Sequence, residues 1–231
     1  MSASPAKTGE VLKSILLKET INEPVSKTAP IIFAERLTDF FSLTFLSLVG
    51  ALYYHYAVIW IYAVLFFFVV TIFILSNRPI AEFIILKLIH IPRLKNQLSR
   101  IETLYGSVYI LLQPKPLLLM LIVSIISWFF ECFGFYIIVC NFSGNVPVLW
   151  TTFVYAASTI AGAISMLPGG LGVTEGSLSL FLIHGGMPKV TAVASTFIIR
   201  VMTLWFAVIV GLVVLFLSRK VFNYSLNKNQ E

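Results

Sequence analysis

Leu167-Pro168-Gly169-Gly170-Leu171-Gly172-Val173-Thr174-Glu175-Gly176 decides how the rest of this chain is read. It lies in the most apolar half of the sequence, yet it carries glycines, a proline and a carboxylate where an uninterrupted membrane span would carry leucines. Pro168 has no N–H to give to a helix, and Gly169-Gly170 favours turn backbone, so the stretch predicts a helix break. Within lipid, such a break is tolerated only where protein buries it or where it lines a wet cavity. The apolar pattern predicts a short helix from about Val173 to His184, with Thr174 and Glu175 in its first turn. Free N–H groups and the positive end of the helix dipole favour an anion there. Broken helices of this kind form substrate sites in transporters. The alternative is a plain Gly-Gly turn with a solvated glutamate between two spans. Apolar sequence directly after the break, and a second pair at Gly185-Gly186, favour the embedded reading.

Composition points the same way. The chain has 231 residues, 58% hydrophobic and 11% charged, with a mean hydropathy of +0.94. Soluble domains carry about 25% charged residues. The expected fold is therefore an all-α polytopic membrane protein, a single membrane domain over 1–231 with no sizeable soluble part. Its 16 Lys+Arg against 10 Asp+Glu, formally +6, report cytoplasmic loops rather than nucleic-acid binding. Cys132 and Cys140 stand eight apart in one apolar segment, a spacing that predicts no intrahelical disulfide. The polar start of the chain lacks the apolar core of a signal peptide.

In order, residues 1–30 read as an interfacial or re-entrant segment: Val11 to Lys18 alternates apolar and basic residues, and Asn22-Glu23-Pro24 interrupts it. A first helix pair occupies 31–76. Ile31 to Tyr54 bears Glu35, Arg36 and Asp39 near its start, with Glu35 and Asp39 at i,i+4 on one face. These charges either sit solvated at the interface or line a polar path. Ala57 to Ser76 follows, with Trp60 and Tyr62 as belt residues. Residues 77–115 are basic, and Ile91, Leu94, Leu98, Ile101, Tyr105, Val108 and Leu112 recur at alternating spacings of 3 and 4. That is the stripe of an amphipathic helix at the cytoplasmic interface, too polar to span. A second helix pair occupies 116–167: Pro116 to Val139, then Val148 to Met166, whose small residues permit close packing. Glu131 falls in the middle of the first of these. An acidic group at that depth costs about 2.5–3.5 kcal/mol to insert, so it should face the bundle interior beside a partner. The broken or re-entrant segment is 168–187, the last span 188–218 with Arg200 a third of the way along, and the tail 219–231 adds Arg219, Lys220 and Lys228. The total is about five full spans of roughly membrane length plus the broken or re-entrant segments.

Two stretches match in order. Pro5-x3-Gly9-Glu10, then Pro24, then Arg36 parallels Pro168-x3-Gly172-x2-Glu175, then Pro188, then Arg200. Proline to arginine is twelve residues in both, and glutamate to proline is fourteen in one and thirteen in the other. This predicts an internal repeat, the mark of transporter folds with related halves. The basic 77–115 segment places residues 1–30 inside and the 141–147 loop outside. The C-terminus then falls inside, with inverted repeats, if 168–187 crosses, and outside if that segment dips and returns; the basic tail favours the first.

The Pro168-Gly169-Gly170-Leu171-Gly172 run with Glu175, the Pro5 to Glu10 element, and Glu35-Arg36-Leu37-Thr38-Asp39 together resemble one family over nearly the whole chain. It is the lysylphosphatidylglycerol synthase transmembrane-region family, also called flippase-like membrane proteins. The resemblance implies a multi-pass protein of the cell (cytoplasmic) membrane. Some members move aminoacylated phosphatidylglycerol across the bacterial membrane, and others are linked to lipid-linked sugar pathways. Members usually carry further spans before the first P-x-x-x-G-E element, so this chain is expected to be N-terminally short, a fragment or a displaced start. The aminoacyl-transferase domain of the synthase members is absent from it, so it is not expected to make lysyl lipid.

The expected function is translocation of a phospholipid or lipid-linked headgroup. Its substrate-binding candidates are Glu10, Glu35, Arg36, Asp39, Glu131, Gly169, Gly170, Gly172, Glu175 and Arg200. Arg200 would meet a phosphate, and the carboxylates a cationic headgroup or a proton. The alternatives are a non-transporting accessory protein, docking on a lipid-modifying enzyme or glycosyltransferase through residues 78–112, and an inactive truncated member. Membrane lipids are the expected partners; the oligomeric state is left open. Catalysis is not expected. His55, His90 and His184 lack metal-ligand spacing, and Ser165, Ser177 and Ser179 lack a His–Asp arrangement. No metal, cofactor or nucleic acid is expected.

Overall fold

A computed structural model of the chain describes residues 25–54, 58–79, 106, 109–143 and 146–214. Among these there are helices and turns and no strand. The helices are α1 (Val25–Tyr54), α2 (Val58–Ser76), α3 (Pro114–Ser143), α4 (Val148–Ile164), α5 (Val173–His184) and α6 (Lys189–Val214). Glu10 and the rest of the 1–24 stretch, the stripe from Ile91 to Val108, and Arg219, Lys220 and Lys228 lie outside the described residues. Leu112, the last residue of the stripe, is buried.

The boundaries follow local chemistry. α1 takes in residues 25–30, which the sequence assigned to the interfacial segment. α3 runs past Val139 to Ser143, although apolar periodicity stops earlier. Asn141 is accommodated there because its side-chain amide donates back to the Ile137 carbonyl at 2.8 Å. α3 and α6 are each long and apolar enough to cross a membrane by length and composition. Their outward faces carry exposed Leu119, Phe130, Phe206 and Leu212, a surface suited to lipid rather than water.

The helices pack in a closed ring. α1 lies against α3 and α4, α4 against α5, α5 against α6, and α6 against α3; α2 packs on α1. Phe135, Phe153, Val154, Leu178 and Leu182 fill the interior. Several hydroxyls inside this apolar ring are satisfied on their own helices: Ser42, Thr152 and Thr196 each donate to the carbonyl four residues earlier at 2.8–2.9 Å.

The break turns the chain around. Ser165 closes α4 by donating from its hydroxyl to the Gly162 carbonyl at 2.6 Å. Pro168–Gly170 then forms one tight turn, and Gly169, Gly170 and Gly172 hold φ of 61, 67 and 84°. α5 follows over Val173–His184, the helix expected from the sequence. It runs antiparallel to α4. Thr174 at its start meets Gly162 near the end of α4, and Gly185 at its end meets the Trp150 indole near the start of α4. At about 1.5 Å per residue, Gly162 lies about 21 Å along α4 and Arg200 about 16 Å along α6. α6 has 26 residues and is thus about 39 Å long. The break therefore sits level with Arg200, partway along α6. The fourth expected span, Val148 to Met166, accordingly ends at Ile164 after 17 residues and returns through α5.

Candidate functional site: a charged cavity at the broken helix

The ring encloses a cavity of about 620 Å³. Phe33, Arg36, Asp39 and Phe40 reach it from α1, Trp128 and Glu131 from α3, and Tyr155, Thr159 and Gly162 from α4. Met166, Leu167, Gly169 and Gly170 of the break, Thr174 of α5, and Arg200, Thr203 and Leu204 of α6 complete it. Charge thus collects in the middle of an otherwise apolar bundle.

Three carboxylates organise the polar side. Asp39 accepts from Arg36 Nη1 at 3.1 Å through one oxygen, and from Ser124 Oγ at 2.9 Å and Trp128 Nε1 at 3.1 Å through the other. It ties α1 to α3. Glu131 accepts from the Tyr155 hydroxyl at 2.7 Å and ties α3 to α4, the interior partner its depth requires. Glu175 pairs with Arg200, Oε1 to Nε at 2.5 Å, and its Oε2 accepts the Gly172 N–H at 2.6 Å. Glu175 thereby caps α5 from within the helix, so the anion at that N-terminus is the chain's own side chain. Arg200 also donates from Nη2 to the Gly169 carbonyl at 2.5 Å, holding the break against α6.

Directly after Arg200, α6 widens into a π turn over Val201–Trp205. A π turn displaces one carbonyl from its usual i+4 amide, and such turns gather at functional sites. Thr203 supplies a donor, its hydroxyl reaching the Ile199 carbonyl at 2.8 Å. Arg200, Thr203 and Leu204 consequently all face the cavity.

Of the residues expected from the sequence, Arg36, Asp39, Glu131, Gly169, Gly170 and Arg200 line one cavity. Glu175 and Gly172 stand behind it, fixing Arg200 and the start of α5. Glu35 does not join Asp39 despite the shared i,i+4 face. It stays half exposed, 3.9 Å from Arg36, because one helical face is broader than the cavity's edge. Arg200 was expected to meet a phosphate; in the structure its guanidinium also holds Glu175 and the Gly169 carbonyl. Glu10 lies outside the described residues. Sequence reading missed Ser124, Trp128, Tyr155, Thr159 and Thr203. Ser124 and Trp128 could have been found, since they precede Glu131 at helical spacing on one face of α3. Nothing in the sequence links Tyr155 to Glu131.

Among the described acids Asp39 accepts the most side-chain hydrogen bonds, so its removal is informative. Asp39→Ala strands the Trp128 and Ser124 donors and is expected to cost about 2 kcal/mol, while Asp39→Asn, which keeps an acceptor, loses less. Thermal unfolding in detergent checks this; equal losses for both variants would mean that the hydrogen bonds do not stabilise the α1–α3 contact.

The fold and the cavity together define a helical membrane protein with a charged chamber beside a broken helix. The chain belongs to the lysylphosphatidylglycerol synthase TM region family, whose family model matches residues 1–211. A UPF0104 membrane protein of Methanocaldococcus jannaschii is 26% identical over 95% of this chain and 94% of its own length. A second, from Pyrococcus horikoshii, is 30% identical over 42% of this chain and 29% of its own length. A third, from Methanothermobacter thermautotrophicus, is 29% identical over 36% of this chain and 25% of its own length. No solved structure matches.

Proposed function

We propose that the chain is a multi-pass, flippase-like protein of the cell membrane that moves a phospholipid or lipid-linked headgroup across the bilayer and performs no catalysis. The observation that carries this is the cavity: two arginines and two carboxylates line a chamber between helices whose outer faces are apolar. A charged group is expensive at membrane depth and is kept where it meets an ion or a polar ligand. A headgroup fits a chamber of about 620 Å³.

In this reading α1, α2, α3 and α6 are the passes, four rather than the expected five, and α4 with α5 forms a re-entrant hairpin that enters and leaves on one side. The directions support the orientation. α4 and α6 run alike and opposite to α3, so the end of α6 falls on the side where α3 starts. The basic 77–115 segment and the basic tail then share the cytoplasmic side. Helices α1 and α6 run in opposite senses. Each delivers to the cavity an arginine that stands twelve residues after a proline in the sequence, Arg36 after Pro24 and Arg200 after Pro188. That is the relation expected of inverted repeats.

Proteoliposomes test the reading. Fluorescent anionic, lysylated and prenyl-phosphate lipids are scored for headgroup exposure, wild type against Glu131→Gln. Wild-type scrambling of one lipid class, reduced about tenfold in the variant, is the expected result. No scrambling of any class would overturn transport and move the reading to an accessory protein for lipid modification or lipid-linked glycosylation.

A further inference from the structure

The cavity's apolar wall grades from buried to half-buried: Leu43 is 3% and Tyr155 5% exposed, and Ile32, Phe40 and Trp128 are intermediate. Three lining residues are different. Phe33 is 46%, Leu167 46% and Met166 72% exposed. A residue that faces both the cavity and the outside marks a mouth. All three lie toward the same end of the bundle. Phe33 is about 12 Å from the start of α1, whereas Leu43 is about 27 Å from it. Met166 and Leu167 sit at the tip of the α4–α5 hairpin, which points toward the end where α1 and α3 start. Tyr155 and Leu43 close the chamber at its other end. The rim is apolar, while the floor holds Arg36, Asp39, Glu131 and Arg200. An opening of that make-up suits a molecule with an ionic head and a hydrocarbon tail. A second observation falls on the same rim. Met166 has φ of 54°, a left-handed backbone that side-chain-bearing residues rarely adopt. Strain of that kind gathers at ligand clamps and switches.

We infer that the gap between Phe33 and Met166–Leu167 is a lateral lipid threshold, through which one phospholipid inserts its headgroup while its acyl chains stay against these three side chains. This rests on the transport reading and adds the side from which loading occurs. The threshold opens on the half of the bilayer next to the basic segment 77–115, the cytoplasmic leaflet. The chamber is closed toward the other leaflet.

The test uses the full chain in vesicles of phosphatidylcholine with phosphatidylglycerol carrying a photoreactive diazirine in one acyl chain. Adducts are mapped by mass spectrometry. Any lipid-facing residue, such as Phe130 on the outer face of α3, labels through bulk lipid contact. The expected result is that labelling of Phe33, Met166 and Leu167 falls at least fivefold in Glu131→Gln or when unlabelled phosphatidylglycerol is in excess, after normalising to Phe130. Equal change at the rim and at Phe130 would overturn the threshold. A second measurement guards against a misfolded variant: in the wild type, probe lipid added to the cytoplasmic leaflet and photolysed before it can cross should label the rim at least fivefold more than probe added to the other leaflet, and the reverse preference overturns the assigned side. Labelling is read without transport, so these outcomes are separate from those of the scrambling assay.

Discussion

Glu175→Gln is expected to lower folding stability by about 3 kcal/mol, and Arg200→Gln by a similar amount. The pair is mostly shielded, with the Arg200 and Glu175 side chains 12% and 20% exposed. Removing one member leaves the other charged in a low-dielectric surrounding without its counter-ion, and that stranded charge sets the size of the effect. Glutamine at position 175 can still accept the Gly172 N–H, so the cap is largely kept and the loss isolates the charge. Arg200→Gln additionally gives up the bond to the Gly169 carbonyl, which ties the break to α6. The double variant should lose clearly less than the sum, with a coupling of about 2 kcal/mol, because neither charge is then stranded. Thermal unfolding in detergent reads this as a drop of roughly 6–12 °C for each single variant. Strict additivity would show that the pair does not hold the break in place.

The second large effect sits on the other side of the break. Gly162 of α4 and Gly170 of the turn approach closely, with the Thr174 hydroxyl between them. A Cβ on Gly162 would strike that hydroxyl, and a Cβ on Gly170 would lie 2.5 Å from it and 3.1 Å from Gly162 Cα. Gly170 also holds φ of 67°, which a side chain tolerates poorly. Gly162→Ala and Gly170→Ala are each expected to cost about 3 kcal/mol from overpacking, with backbone strain added in the second. The two should respond differently to Thr174→Ala. Deleting the hydroxyl removes the worst obstacle to Gly162→Ala and should recover at least half of its loss. Recovery should be smaller for Gly170→Ala, because the φ strain and the Gly162 backbone remain. Equal rescue of both would mean that the φ strain is negligible and the hydroxyl alone sets the fit.

Much of this architecture was legible in the chain because membranes leave few choices. A backbone in lipid must satisfy itself as helix, so runs of apolar residues state where helices lie, and a proline with glycines states where one stops. The break at Leu167–Gly172, the helix over Val173–His184, the interior setting of Glu131, and Arg36, Asp39 and Arg200 as candidates for one polar path could all be read there. Local chemistry determines each of these: a missing N–H, a positive φ, a charge that must not face lipid.

Partnership was decided only by the tertiary structure. Periodicity put Glu35 and Asp39 on one face, yet packing brings Asp39 alone to the cavity, since Ser124 and Trp128 of α3 are placed to receive it, while Glu35 stays half exposed with only a long contact to Arg36. Glu131 required a partner, but that the partner is Tyr155 depends on how α3 and α4 rotate against each other. The sequence offered Glu175 and Arg200 as separate groups for a ligand's opposite charges; the antiparallel return of α5 makes them each other's counter-ion. Residue types and spacings along one helix follow from the sequence, because they obey short-range rules of conformation and solvation. Which charge faces which is a property of the closed ring, because it depends on contacts between segments far apart in the chain.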